Sequence, residues 1–143
     1  MIKQVMGEQI NDPIWDSIKW GVVQVFQIKD KDVPKYTSQL IANIMNEAIQ
    51  AWVVLGDDQV LKSFLLTRII RDIFNRNVLL LDCIYGYEAM TKDEKTELEH
   101  HVREFAKNSN CGAAILYTSN AIVKRWAEEI GFKSDFTTYN LTL

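Results

Sequence analysis

The sequence predicts a mixed α/β (α+β) fold, a twisted sheet flanked by helices, and three observations carry that expectation. Apolar runs of strand length stand beside segments whose apolar residues recur every three or four positions, the signature of amphipathic helices. The run Val78-Leu79-Leu80-Leu81, extended over residues 78–85, is continuously apolar and suits a central strand buried on both faces. A helix-length segment links it to a second apolar run, residues 113–118, and such a crossover implies that the two strands lie parallel. At 143 residues the chain reads as a single domain over residues 1–143, long enough for a hydrophobic core.

The elements follow in order. Residues 2–6 form a short apolar edge strand. Asn11-Asp12-Pro13 starts a helix, with a capping side chain and then a proline whose missing N–H costs nothing there. Ile14, Ile18, Val22 and Phe26 make one helical stripe. The charged stretch Lys29-Asp30-Lys31-Asp32 ends that helix and Pro34 blocks its continuation. A second stripe comprises Tyr36, Leu40, Ile41, Ile44, Met45 and Ala48. Residues 51–55 and 60–71, joined by the turn chemistry of Gly56-Asp57-Asp58, read as a β-hairpin. Asn75-Arg76-Asn77 turns into the apolar run at 78–85. Thr91 and Glu94 have capping-box spacing and open a helix to about residue 107, with Leu98, Val102 and Phe105 inward. Asn110-Cys111-Gly112 ends it before the strand at 113–118. Ser119-Asn120 starts a last helix over residues 120–130, which stops at Gly131-Phe132 and gives way to a Thr/Tyr/Leu-rich final strand. The resulting order is β-α-α-β-β-β-α-β-α-β, with no repeat and no low-complexity segment.

Composition excludes several classes. A hydrophobic fraction of 48% with 24% charged residues is the balance of a globular protein. The net charge of −3 lacks the basic surplus of nucleic-acid binders. No apolar run approaches membrane-spanning length. The start Met1-Ile2-Lys3-Gln4 shows no signal segment, so a cytoplasmic location is expected. Cys83 and Cys111 lack C-x-x-C spacing and read as buried free thiols in a reducing compartment. Adjacent His100 and His101 point about 100° apart on a helix and cannot share a ligand. Glu97 and His101 stand at i,i+4 without a third ligand and read as a surface pair, so no metal is expected.

The strand–Asn120–helix–Gly131-Phe132 unit, with the Trp52-bearing strand, the Gly56-Asp57 hairpin and the long third strand, resembles the GNAT superfamily of N-acetyltransferases. In detail it is similar to the small acetyltransferase-like proteins of tailed bacteriophages. The resemblance implies a loop after the fourth strand, R/Q-x-x-G-x-G/A, whose backbone N–H groups hold the pyrophosphate of acetyl-CoA. The matching stretch is Gly86-Tyr87-Glu88-Ala89-Met90-Thr91. It departs from the pattern: Gly86 is its only glycine, and Glu88, Asp93 and Glu94 place carboxylates where phosphate would sit. The family's general acid, commonly a tyrosine four residues before the helix-stopping glycine, maps to Ala127, which holds no transferable proton. Asn120 matches the asparagine that faces the pantetheine arm, and it is equally an ordinary helix cap.

Two readings follow. The leading one is a non-catalytic protein on this scaffold, an interaction or structural component, phage-encoded and virion-associated, located in the host cytoplasm or the virion, with no cofactor. Trp15 and Trp20 on the first helix are then the interface candidates for a protein partner or self-association. The alternative is a divergent acetyl-CoA-dependent N-acetyltransferase, with Gly86, Ala89 and Asn120 at the cofactor and Glu88, Tyr87 or a water as the base.

Overall fold

The structure, a computed structural model, describes residues 1–135 and 138–143. Its strands are β1 (Ile2–Val5), β2 (Gln50–Leu55), β3 (Leu61–Arg71), β4 (Asn77–Gly86) and β5 (Cys111–Leu116). They form one sheet in the order β1-β2-β3-β4-β5. The first four are antiparallel to their neighbours, and β4–β5 is parallel, as the crossover implied.

Two helical layers cover the sheet. Helices α1 (Asp12–Phe26) and α2 (Val33–Met45) lie on one face. Asn11 Oδ1 accepts from the Ile14 N–H at 3.0 Å, the expected cap. Pro34 does not stop a helix as the sequence suggested but stands in the first turn of α2, where a proline is tolerated. In α2 the buried stripe is Thr37 and Ile44 with Leu40 beside it, whereas Tyr36 and Met45 are exposed. The core on this face gathers Ile14, Ile18, Val22, Val53, Phe64 and Cys83.

Helices α3 (Lys92–Asn108) and α4 (Ala121–Glu129) cover the other face over Trp52, Leu65, Leu79, Leu81, Leu98 and Trp126. Arg103 ties them together: its guanidinium pairs with Glu99 at 2.7 Å and donates to the Ile130 carbonyl at 2.8 Å. Within this core a polar chain runs from the Trp52 indole N–H to Thr67 Oγ1 and from that hydroxyl to Gln50 Oε1, each at 3.0 Å.

Two boundaries differ from expectation. β5 begins at Cys111 and ends at Leu116, two residues earlier at each end than predicted, because Asn110 takes a left-handed conformation (φ 57°) that turns the chain there. The final strand is not formed: residues 133–135 and 138–143 carry no strand, and Tyr139, Leu141 and Leu143 are exposed, while positions 136–137 lie outside the described residues. Among the described residues no helix is long and apolar enough to cross a membrane.

Candidate functional site

The site is built by one extra residue in β4. Leu66 pairs with Cys83 and Thr67 with Leu81, so Asp82 has no partner across on β3. Leu79 and Leu81 face α3 and α4, whereas Cys83 and Tyr85 face α1 and α2. Strict alternation would have kept all four on one face. Asp82 is therefore a β-bulge that switches the strand's parity, and bulges of this kind bend the strand and raise its twist. The Asp82 carboxylate points to the α1/α2 face, where Arg68 Nε meets it at 2.6 Å.

β4 leaves β5 at the same place. Leu81–Leu116 is the last pair between them, yet β4 runs on to Gly86. From Asp82 to Gly86 the edge of β4 that bordered β5 has no strand partner among the described residues, which leaves a cleft between the two strand ends. α3 follows β4 and α4 follows β5, so both helices start from the carboxyl ends of this parallel pair. The carboxyl ends of adjacent parallel strands, with helix N-termini beside them, are the standard place for phosphorylated ligands in α/β sheets.

The loop after β4 shows how much of this is available to a ligand. The Tyr87 and Glu88 N–H groups both donate to the Lys62 carbonyl, at 2.7 and 3.1 Å. The Thr91 N–H donates to Glu94 and the Glu94 N–H to Thr91 Oγ1, the expected capping box. The N–H groups of Ala89, Met90, Lys92 and Asp93 are left with no acceptor among the described residues. Ser63 Oγ is buried without a partner, and Ser63 pairs across the sheet with Gly86 at the start of this loop.

Of the three carboxylates near this loop, Glu94 is paired in three dimensions. Glu94 is held by Lys62 Nζ, with both carboxylate oxygens at 2.9 Å, across a separation of 32 residues. That ammonium, then the Thr91 N–H, keeps the Glu94 carboxyl below its ordinary value. The Glu94 carboxylate is paired and folded back onto its own helix, while Glu88 and Asp93 are exposed with no ion-pair partner among the described residues. Backbone donors for a pyrophosphate are present, and of the three acids Glu94 is the one whose charge is answered.

The other named residues fall as follows. Asn120 is a cap, its Oδ1 accepting from the Ile122 and Val123 N–H groups at 2.9 and 3.1 Å. Ala127 is buried in α4. Tyr117, the first residue past β5, is exposed. Gly86 has an ordinary φ and room for a methyl group, so nothing in the backbone demands glycine there. The Tyr87 hydroxyl donates to the Ser17 carbonyl, and burial raises its pKa, so it is no base at neutral pH. The buried Cys83 thiol is pushed up to about 12 by burial and then by the Asp82 charge, which makes it inert. His100 and His101 lie on the outer side of α3 beside Glu104 and Glu97 at 3.5 and 3.7 Å. No group of three or more potential metal ligands occurs among the described residues.

Trp15 is half-buried against the α1/α2 core, with Lys19 over its ring. Trp20 is 52% exposed and packs on Tyr85 and Tyr87 at the end of β4. Sequence reasoning missed Asp82 and Lys62. A lone aspartate inside an apolar run was the available signal for the bulge, but nothing local marks Lys62.

Solved structures share this overall architecture, a GNAT-like fold. A ribosomal-protein-alanine N-acetyltransferase from Brucella melitensis biovar Abortus 2308 aligns at 14% identity over 100% of this chain and 99% of its own, with a TM-score of 0.72. A predicted acetyltransferase from Clostridium acetobutylicum, solved with acetyl-CoA, aligns at 12% identity over 99% of this chain and 95% of its own, with a TM-score of 0.76. An aminoglycoside acetyltransferase from an uncultured soil metagenomic sample, in complex with sisomicin, aligns at 10% identity over 100% and 95%, with a TM-score of 0.74. No protein-family model matches the chain, and no curated protein matches its sequence. At these identities the likeness is one of fold. It nevertheless overturns the expectation of a non-catalytic interaction or structural component: chains sharing this architecture from end to end are acetyltransferases, which favours the acetyl-CoA reading. The finer resemblance to phage proteins rests on the sequence alone.

Proposed function

We propose that the protein is an N-acetyltransferase that uses acetyl-CoA to acetylate a primary amine in the cytoplasm. The observation that carries this reading is the bulge at Asp82, which frees the end of β4 from β5 where two helices start. When bound, acetyl-CoA supplies a thioester, an acyl group activated toward amines. The N–H groups of Ala89, Met90, Lys92 and Asp93 would hold its pyrophosphate, and the free β4 edge from Asp82 to Gly86 would hold its amide-bearing arm.

The chain's own acid–base groups follow from position. The Asp82 carboxylate, fixed by Arg68, takes the proton that the acceptor ammonium must lose before its nitrogen can attack. Tyr117 stands past β5 with an exposed phenol, and we give it the role of returning a proton to the departing sulfur, since Ala127 cannot. Side chains differ from the family pattern, but the backbone features that shape the cleft do not depend on them.

Calorimetric titration with acetyl-CoA, followed by transfer assays on a panel of amines read by free-thiol release, tests the reading. Micromolar binding and thiol release that depends on amine are expected, with Tyr117→Phe and Asp82→Asn each slowing turnover about 10²-fold or more. No heat of binding and no transfer to any amine would overturn it.

A further inference from the structure

Past the bulge, β4 carries a surface that neither the fold nor the cleft requires. Tyr85, Tyr87 and Trp20 form a mutual cluster. Ring centroids lie 5.2 Å apart for Tyr85–Tyr87, 5.8 Å for Trp20–Tyr85 and 6.0 Å for Trp20–Tyr87. Trp20 is 52% and Tyr87 41% exposed, so both residues are partly open to solvent. The cluster is rigid. The Tyr87 hydroxyl is anchored on the Ser17 carbonyl of α1, and Tyr85 stacks on the fully buried Phe64. Gly21 allows the close approach: a Cβ there would stand 2.6 Å from Phe64 and 3.1 Å from Tyr85. Only a glycine lets α1 sit low enough to bring Trp20 against β4.

The bulge puts this platform and Asp82 on the same face. Asp82 meets Arg68 there, and Cys83 and Tyr85 follow on that side. Asp82 and Tyr85 are three residues apart, about 10 Å along the strand. The Asp82 side chain and a short alkyl tether together bridge that span. Negative charge accompanies it: Glu88, next to Tyr87, is exposed and has no ion-pair partner among the described residues. Three rings are far too small an area for a stable protein interface, which needs on the order of 1,000 Å². They suit a small flat group.

We infer that the acceptor is an arylalkylamine, its ring stacked on the Trp20–Tyr87 platform and its amino group delivered to Asp82 at the bulge. This rests on the acetyltransferase reading and narrows it. The Asp82 carboxylate takes the ammonium proton and the C–N bond forms as the C–S bond breaks; Tyr117 protonates the departing thiolate and is restored by the second proton, which the nitrogen sheds as it becomes an amide. A ring on a rigid aromatic platform gains about tenfold in affinity over an alkyl chain of similar size.

The experiment compares tryptamine with hexylamine on the full chain in the presence of acetyl-CoA. Tryptamine should show a kcat/KM about tenfold higher. Trp20→Ala should raise KM for tryptamine about tenfold, with a much smaller change in kcat, and the preference over hexylamine should fall toward one. Trp20→Leu, which keeps apolar bulk but loses the flat ring, should behave alike and covers the case in which the alanine variant does not fold. Equal kcat/KM for the two amines, or a preference untouched by either variant, overturns the inference. If no amine is acetylated, tryptamine binding followed by saturation-transfer NMR decides separately. Binding lost in Trp20→Leu supports the platform while the transferase reading fails. An absence of binding overturns the platform itself.

Discussion

Deleting Asp82 is the sharpest probe of the cleft. The residue has no partner on β3, and the pairs Leu66–Cys83 and Thr67–Leu81 flank it directly. Without it the β3–β4 register closes up with no shift on either side. Every following side chain also keeps its face, because Cys83 then follows Leu81 in ordinary alternation. What disappears is the local bend, together with the Arg68–Asp82 pair. Those side chains are 48% and 26% exposed, so losing the pair costs about 0–1 kcal/mol. Removal of an unpaired residue from the ladder works the other way, so overall stability should move by no more than about 1 kcal/mol. A straightened β4 would stay beside β5 beyond Leu81 and close the cleft. Acetyl-CoA affinity should then fall at least about tenfold, or 1.4 kcal/mol. Urea denaturation and calorimetric titration of the same preparation measure both quantities. A folded deletion variant that binds acetyl-CoA as tightly as the parent would show that the bulge does not make the site.

Three further outcomes are expected. Thr67→Val keeps the shape of the side chain but leaves the buried Trp52 indole N–H and Gln50 Oε1 unpaired, so it should cost about 2–4 kcal/mol in urea unfolding. Thr67→Ser should recover most of that loss, and a valine variant within 0.5 kcal/mol of the parent, on the order of measurement error, would refute the network. Glu94 has a folded pKa below its ordinary 4.5, chiefly through Lys62. As pH falls the unfolded chain protonates first, so the stability supplied by the pair is full above the ordinary value and is lost as pH drops through the folded one. The stability gap between parent and Glu94→Gln should therefore be present at neutral pH and vanish in acid; a gap that persists or widens in acid would contradict it. Cys83, pushed up to about 12, should resist a thiol reagent at neutral pH until the protein unfolds. Labelling of native Cys83 as fast as a free thiol would show that the β4 core opens.

The local elements were legible because their causes are local. Asn11, Thr91 and Asn120 cap helices through N–H groups two or three residues away, and the apolar run of β4 states its own burial. From that run and the crossover, the parallel β4–β5 pair followed on sequence grounds. The expected final strand is not seen among residues 138–143, since an alternating pattern yields a strand only when tertiary pairing takes it up. The site was misjudged for a related reason. Counting carboxylates along Gly86 to Glu94 gave repulsion from three acids, but Lys62, brought in by β3 from 32 residues away, pairs with one of them, Glu94. Likewise the missing tyrosine at Ala127 and the missing glycines after Gly86 weighed heavily, although the cleft is shaped by backbone: a bulge, a strand that outruns its neighbour and two helix starts. By itself the sequence determined where most helices and strands lie, since those depend on spacing and caps along the chain. Only the tertiary structure decided where charges meet, how β4 parts from β5 and which aromatic rings gather beside the gap. Those depend on contacts between residues far apart in sequence, and no local pattern encodes them.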